Sequence, residues 1–373
     1  MSYVSASNAW NFGIQREVTR STTMDLSYVA SKGAHVYHQR DGNPPDPNLV
    51  AQLVAFCVPT NPANNNFPGD VSPTNPTGQC LPSTVSGALL YFGGDSKSFL
   101  PNNAVANNAL VQPFYQQSVA NSTYNSLQLK ITHRLSHGLQ VQGSYTWSHA
   151  IDNSTDPLAP GQGNRTFPRN SRNLNQDRGN SDNDVRHIAV INYVWEVPLG
   201  RGKGYVNSGM LGRVFEGMQF SGITTAQTGF PFVVGCNRDS QRTGVAAWCN
   251  EVGNPFAPGA NSSAASSGFK PYFTNPAAFT VPDFGGPGNI GRNHIYGPRF
   301  VDFNIVFSKK TKLAERADLE FRFECYNLFN HPHFQQPDNV QTDSTFGLIS
   351  ATVANPDATT SARQVQVALK LNF

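Results

Sequence analysis

The sequence predicts an all-β fold, a transmembrane antiparallel β-barrel present in part, and three observations carry that expectation. Apolar residues recur at every second position in about nine segments. Short and long connections between these segments alternate strictly. The composition is lean in charge and rich in Asn, Gln, Ser, Thr, Gly and Pro, as neutral lumen walls and long polar loops require. The carboxyl-terminal segment shows the pattern most plainly. Val365, Val367, Leu369, Leu371 and Phe373 fall on one face, with Gln364, Gln366, Lys370 and Asn372 on the other. A strand reaching the last residue is expected to close or extend a sheet.

Along the chain, the first strand is expected near 9–18, with Trp10, Phe12, Ile14 and Val18 on one face. The second is expected near 22–32, with Met24, Leu26, Tyr28 and Ala30 aligned and Thr19-Arg20-Ser21-Thr22 between the two. After Gly33 the sequence turns rich in Pro, Asn and Gly and reads as irregular to about 121, far longer than the usual connection of roughly 4–6 residues. Leu127, Leu129, Ile131, His133 and Leu135 then oppose Gln128, Lys130, Thr132 and Arg134. A tight turn at Ser136-His137-Gly138 leads to Leu139, Val141, Gly143, Tyr145 and Trp147, opposed by Gln140, Gln142, Ser144, Thr146 and Ser148. A polar loop at about 150–183 follows.

The third pair is expected near 185–197 and 214–227, joined by the Gly-rich stretch 198–213, with Ala189, Ile191, Tyr193, Trp195 and Val197 on one face. Another long loop covers about 228–298. The fourth pair sets Val301, Phe303, Ile305 and Phe307 against Asp302, Asn304 and Ser308, turns at Lys309-Lys310-Thr311-Lys312, and returns with Leu319, Phe321 and Phe323 against Asp318, Glu320, Arg322 and Glu324. A last loop near 330–362 reaches the terminal strand.

The hydrophobic and charged fractions, 38% and 14%, lie below the roughly 45–50% and 25% of water-soluble domains. A net charge of +3, with no basic stripe, excludes a nucleic-acid footprint. No run approaches the roughly 18 apolar residues of a spanning helix, and no basic-then-apolar leader opens the chain. Any membrane crossing is therefore by strands, and an exported barrel without a leader is expected to be a fragment. Short turns on one side and long loops on the other are the asymmetry of outer-membrane barrels, and Tyr145, Trp147, Tyr193 and Trp195 suit an interfacial girdle. The alternative, a soluble sandwich with one wet face, has short loops at both ends.

Of five cysteines, Cys57 pairs by position with Cys80 and Cys236 with Cys249, each within one polar loop, which suits an oxidising compartment; unpaired thiols are the other reading. Cys325 falls on an apolar strand face as a small hydrophobe.

Several strings carry a family resemblance. They are Asn125-Ser126-Leu127-Gln128, Gly143-Ser144-Tyr145-Thr146-Trp147-Ser148, Asp177-Arg178-Gly179-Asn180-Ser181-Asp182 before Asp184-Val185-Arg186-His187, and Asn327-Leu328-Phe329-Asn330-His331-Pro332. With these the chain resembles the carboxyl-terminal barrel of TonB-dependent outer-membrane receptors, in particular the Oar-like group, over nearly its whole length. Phe373, with Val365, Val367, Leu369 and Leu371, is similar to the barrel-assembly signal of such proteins. The resemblance implies a larger barrel, of the roughly 22 strands found in plugged outer-membrane transporters. Residues 1–373 would then be its closing portion, without the family's amino-terminal regulatory and plug domains. It also implies a bacterial outer-membrane location. Its partners would be outer-membrane lipid, the missing strands and plug, the TonB complex through that plug, and the barrel-assembly machinery.

The expected role is energy-coupled nutrient uptake, with the loops at about 33–121, 150–183 and 228–298 forming the substrate mouth. The alternatives are an adhesion or structural barrel without transport, and a passive pore. No catalytic, cofactor or metal site is expected. Asp177, Asp182 and Asp184 with Asn180 and Asn183 lack the Gly and Glu spacing of a calcium loop and read as a polar rim. His331-Pro332-His333 offers two imidazoles without a third ligand. Gly200-Arg201-Gly202-Lys203-Gly204 lacks phosphate-loop spacing, and no nucleophile elbow is present.

Overall fold

The structure, a computed structural model, describes residues 4–41, 114–154, 168–170, 173–236, 247–258, 268–283, 286–314, 317–353 and 361–373. Nine strands form one sheet: β1 (Ala6–Thr19), β2 (Thr22–Asp41), β3 (Phe114–Ser136), β4 (Leu139–Asp152), β5 (His187–Glu196), β6 (Met218–Gln227), β7 (Phe300–Ala314), β8 (Ala317–Tyr326) and β9 (Gln364–Asn372). Each pairs antiparallel with its sequence neighbour, and the two-residue strand Gly179–Asn180 adds to the end of β4. Among the described residues β1 and β9 do not pair, so the sheet is an open part of a barrel. Among the described residues no helix is long and apolar enough to cross a membrane, which does not bear on crossing by strands.

The ladders keep the apolar residues in register across the whole sheet. Phe12 lies opposite Tyr28, Tyr28 opposite Leu127, and Leu127 opposite Trp147. Nearer the turns, Leu139 faces Trp195, Trp195 faces Phe220, Phe220 faces Phe307, Phe307 faces Phe323 and Phe323 faces Val367. A one-residue slip anywhere would invert a strand, so the register is strongly specified.

Burial on the sheet is inverted relative to a soluble protein. Phe12 and Leu369 are each 68% exposed and Trp147 is 53% exposed, whereas Ser126 is 3% and Asp302 2%. Apolar side chains are left bare on the outside while polar ones pack on the inside, which is stable when the outer solvent is hydrocarbon. The outward apolar stretch of β3, from Leu127 to Leu135, has the length of about 9–11 residues that a tilted strand needs to span a bilayer. Inside, Arg322 pairs with Glu324 at 2.8 Å, an arrangement a wet lumen accommodates.

The short connections gather at one end of the sheet and the long ones at the other. The β3–β4 turn is a two-residue loop with φ of 52° at His137 and 81° at Gly138, the positive pair that a type I′ hairpin requires.

Three local expectations are corrected. β2 and β3 run on to Asp41 and back from Phe114, through a stretch expected to be irregular. This extension stands beyond the bilayer, so its residues need no apolar face, and register shifts between Ala34 and Tyr37 break the alternation. The stretch 214–217 is not strand; helix α1 (Gly209–Phe215) lies in the Gly-rich connection before β6. Lys309 to Lys312 is not a turn but part of β7, held by opposite charges across the ladder, with Lys310 facing Glu320 and Lys312 facing Asp318.

The described parts of the long connections after β6 and β8 are not mere irregular loops. Phe232, Val234, Trp248, Phe273, Phe279 and Phe346 form a hydrophobic core of their own, in which Phe273 lies 5.0 Å from Phe279 and 5.5 Å from Phe346. Two-residue ladders knit this layer, pairing 231–232 with 295–296, 250–251 with 279–280 and 270–271 with 348–349. Its apolar core drives folding of the layer in water, while the barrel's apolar face requires lipid.

Candidate functional site

The loop layer covers the end of the barrel opposite the short turns, and an arginine-centred network fastens it to the strands. Arg292 is 5% exposed and donates to Asp152, to Asp182 Oδ1 at 3.1 Å and to the Ser154 carbonyl at 2.9 Å. Asn293, fully buried with φ of 51°, donates from Nδ2 to the Asn180 carbonyl at 2.8 Å and to Asp182 Oδ1 at 2.7 Å. Asn180 Nδ2 in turn donates to the Asn293 carbonyl at 2.9 Å. Gly179 lets the two segments close, since a Cβ there would lie 2.8 Å from the Arg292 carbonyl oxygen.

Two further carboxylates are spent the same way. Asp177 accepts from Arg169 Nε at 2.7 Å and from the Arg169 backbone N–H at 2.8 Å, while the guanidinium lies 3.5 Å from the centroid of the Trp248 ring. Burial lowers the Arg169 pKa and Asp177 opposes that shift. Asp184, with its side chain fully buried, accepts from the Ala150 N–H at 2.7 Å and the Tyr296 hydroxyl at 2.6 Å and forms an ion pair with Arg186 Nη2 at 3.0 Å. Burial raises the Tyr296 phenol, and its hydrogen bond to Asp184 adds to the rise.

The Asp177 to His187 motif is therefore a clasp. Asp177, Gly179, Asp182, Asp184 and Arg186 converge on it, whereas Arg178 is exposed and His187 sits at the outer rim, hydrogen-bonded through Nδ1 to the Tyr145 hydroxyl at 2.8 Å. Asp177, Asp182 and Asp184 each face an arginine. Arg169, Arg292, Asn293, Tyr296 and Trp248 were not visible as site residues in the sequence. The only available signal was an excess of acids in one loop that required cations from another.

The second motif is also a clasp. Asn327, 1% exposed with φ of 51°, accepts at Oδ1 from the His331 N–H at 2.9 Å and donates from Nδ2 to the Ser361 carbonyl at 2.7 Å. Asn330 Oδ1 accepts from the Arg363 N–H at 2.9 Å, and Leu328 N–H donates to the Phe303 carbonyl at 2.9 Å. Together these fix the chain leaving β8 and entering β9. Phe329 points outward, edge-on to Phe303 at 4.9 Å. The two imidazoles separate, His331 being exposed and His333 buried with Nε2 3.0 Å from the Val301 carbonyl.

Cys236 and Cys249 form a disulfide in the loop core. Cys57 and Cys80, with the loop 42–113, lie outside the described residues. Cys325 is a buried free thiol. Val365, Val367, Leu369 and Leu371 are exposed on the outward face of the last strand, and Phe373, one residue past its end, is exposed too. Against the inner face lies a hollow of about 630 Å³, lined by Gln140, Gln142, Asn192, Ser221, Asn304 and Tyr326 among others. Val194, Ile223 and Val306 share this lining, so amides and hydroxyls stand among aliphatic side chains. The arrangement is thus an arginine-braced loop layer at one end of a sheet whose inner face carries amides, hydroxyls and paired charges.

The model of a protein family described as an outer membrane beta barrel domain matches residues 4–366. No curated relative matches the chain. Solved structures that align with it include FpvA of P. aeruginosa bound to an iron-loaded heterologous pyoverdine, at 8% identity and TM-score 0.38, over 100% of this chain and 28% of that one. The outer membrane transporter YddB of Escherichia coli aligns at 6% identity and TM-score 0.43, over 98% of this chain and 32% of that one. The chain spans less than a third of the length of either structure.

Proposed function

The chain belongs to the outer membrane β-barrel domain family, and we propose that within the bacterial outer membrane it supplies barrel wall and substrate-capturing loops of a TonB-dependent, energy-coupled nutrient receptor. One observation carries this reading: the described parts of the connections after β6 and β8 condense into a single braced layer with its own core and disulfide, at the end of the sheet whose inner face holds a hollow of about 630 Å³. A capture mouth needs such a surface, because preorganised loops lose little entropy when a ligand binds. The four motif strings shared with the Oar-like group support the same reading.

The open edges at β1 and β9 call for further strands, since unpaired backbone in hydrocarbon costs several kcal/mol per group. A plug and a TonB-contacting segment belong to the same proposal, as does insertion by the barrel-assembly machinery. The role is non-enzymatic, and the transported solute is a polar nutrient.

The test is uptake by cells carrying or lacking the gene, using labelled oligosaccharides, peptides and iron chelates, with and without a protonophore. Loss of one uptake activity in the mutant and under the protonophore supports coupled transport. Undiminished uptake of every probe favours the adhesion role, and ion conductance by the purified protein in planar bilayers favours a passive pore.

A further inference from the structure

At the turn-side end of the sheet, the β5–β6 connection and the tip of the β7–β8 hairpin enclose a recess of about 780 Å³. Its charged lining is Arg201, Arg213, Lys309, Lys310 and Lys312 against Glu216 and Asp318. Lys310 and Lys312 face acids across the ladder. Among the described residues Arg201, Arg213 and Lys309 have no carboxylate partner, and Lys309 Nζ is held by Thr311 Oγ1 at 3.0 Å and the Glu216 carbonyl at 3.4 Å. Helix α1 beside it carries bare apolar side chains, with Met210 84% and Leu211 62% exposed and Val214 also exposed.

The position of this recess identifies its occupant. The outward face of β7 runs Phe307, Lys309, Thr311, Leu313, so the basic recess begins one step beyond the aromatic row in which Phe220 lies 6.3 Å from Trp195 and 5.0 Å from Phe307. Such a row marks the edge of the hydrocarbon, and the next layer is headgroups. We propose that the recess seats anionic phospholipid headgroups of the periplasmic leaflet, with α1 lying half-immersed beside it and the phosphates taken by Arg201, Arg213 and Lys309. Apolar residues next to unpaired cations are the pattern by which interfacial helices hold anionic lipid. This inference rests on the membrane fold and not on transport.

The test places a photoactivatable benzophenone residue at Leu211, and separately at Met210, in the full protein in native outer membranes. After illumination the adducts are identified by mass spectrometry, with Phe220 as the control position for insertion. Phospholipid adducts at both helix positions are expected, enriched several-fold in phosphatidylglycerol and cardiolipin over their bulk proportion. That enrichment is expected to fall to the bulk proportion in an Arg201→Gln, Arg213→Gln, Lys309→Gln variant while Phe220 still labels lipid. Should that variant fail to insert, Arg213→Gln alone carries the comparison. Protein adducts in place of lipid, or an enrichment indifferent to the exchanges, would overturn the proposal.

Discussion

Arg292 shows how far a single side chain organises the loop layer. It is 5% exposed and holds carboxylates from the end of β4 and from the β4–β5 connection, so its removal takes the countercharge from the largely buried Asp152 and Asp182. Arg292→Ala is expected to weaken docking of the loop layer by about 3–5 kcal/mol, seen as faster amide hydrogen exchange at 179–184 and 290–296. Unchanged exchange there would contradict the clasp. Tyr272 makes a separate point. Its buried hydroxyl donates to the Tyr296 carbonyl, and burial pushes its pKa up from 10.0 to about 12. The folded layer therefore keeps a proton that the unfolded chain releases above pH 10.0, so stability is complete below that pH and declines as pH rises toward about 12. Tyr272→Phe is expected to flatten that alkaline decline in a pH series of thermal unfolding, at a cost of about 1 kcal/mol at neutral pH for the lost hydrogen bond. The acids of this network stood out in the sequence, but their basic partners did not. Asp182 and Arg292 are far apart in the chain, and no local pattern encodes a contact closed by the fold of two loops.

The strands were readable as elements because their alternation is enforced by two different solvents. Every outward residue named from the sequence on β3, β4, β7 and β9 lies on the outward face, in register with its neighbours. The ends were less readable. In their extension past Gly33 β2 and β3 bury polar and small residues, His38, Ser118 and Ala120, so the apolar signal vanishes while the hydrogen-bonded ladder continues to Asp41 and Phe114. Helix α1 escaped notice because seven residues with glycines at 209 and 212 carry too little periodicity. The loop core was hidden because its aromatics are scattered among Pro, Asn and Gly and meet only in three dimensions. Two predictions belong to this scale. The Cys236–Cys249 bridge closes a sequence separation of 13, so Cys236→Ser with Cys249→Ser is expected to lower the stability of the loop layer by about 3 kcal/mol, read as earlier proteolysis of that layer alone. Leu369→Lys, on the hydrocarbon face of β9, is expected to cost about 2–4 kcal/mol of membrane folding stability, whereas Gln366→Lys on the inner face costs less than 1 kcal/mol, both measured by urea titration in lipid vesicles.

At the scale of the molecule, one sheet separates three environments: hydrocarbon outside, water within, and a folded loop layer across one end. The fold class and the sidedness of the connections follow from alternation and loop length alone. The proposed transport role does not, because the loop surfaces that would meet a solute take their shape from long-range packing around Phe273 and Arg292. The most direct measurement places an environment-sensitive fluorescent residue in turn at consecutive positions of β7 and β9 and quenches it with brominated phospholipid in intact membranes. Strong quenching at Phe303, Phe307 and Val367 with little at Asn304, Ser308 and Gln366 is the predicted result. Equal quenching at odd and even positions, or none at Phe303 and Val367, would contradict the account.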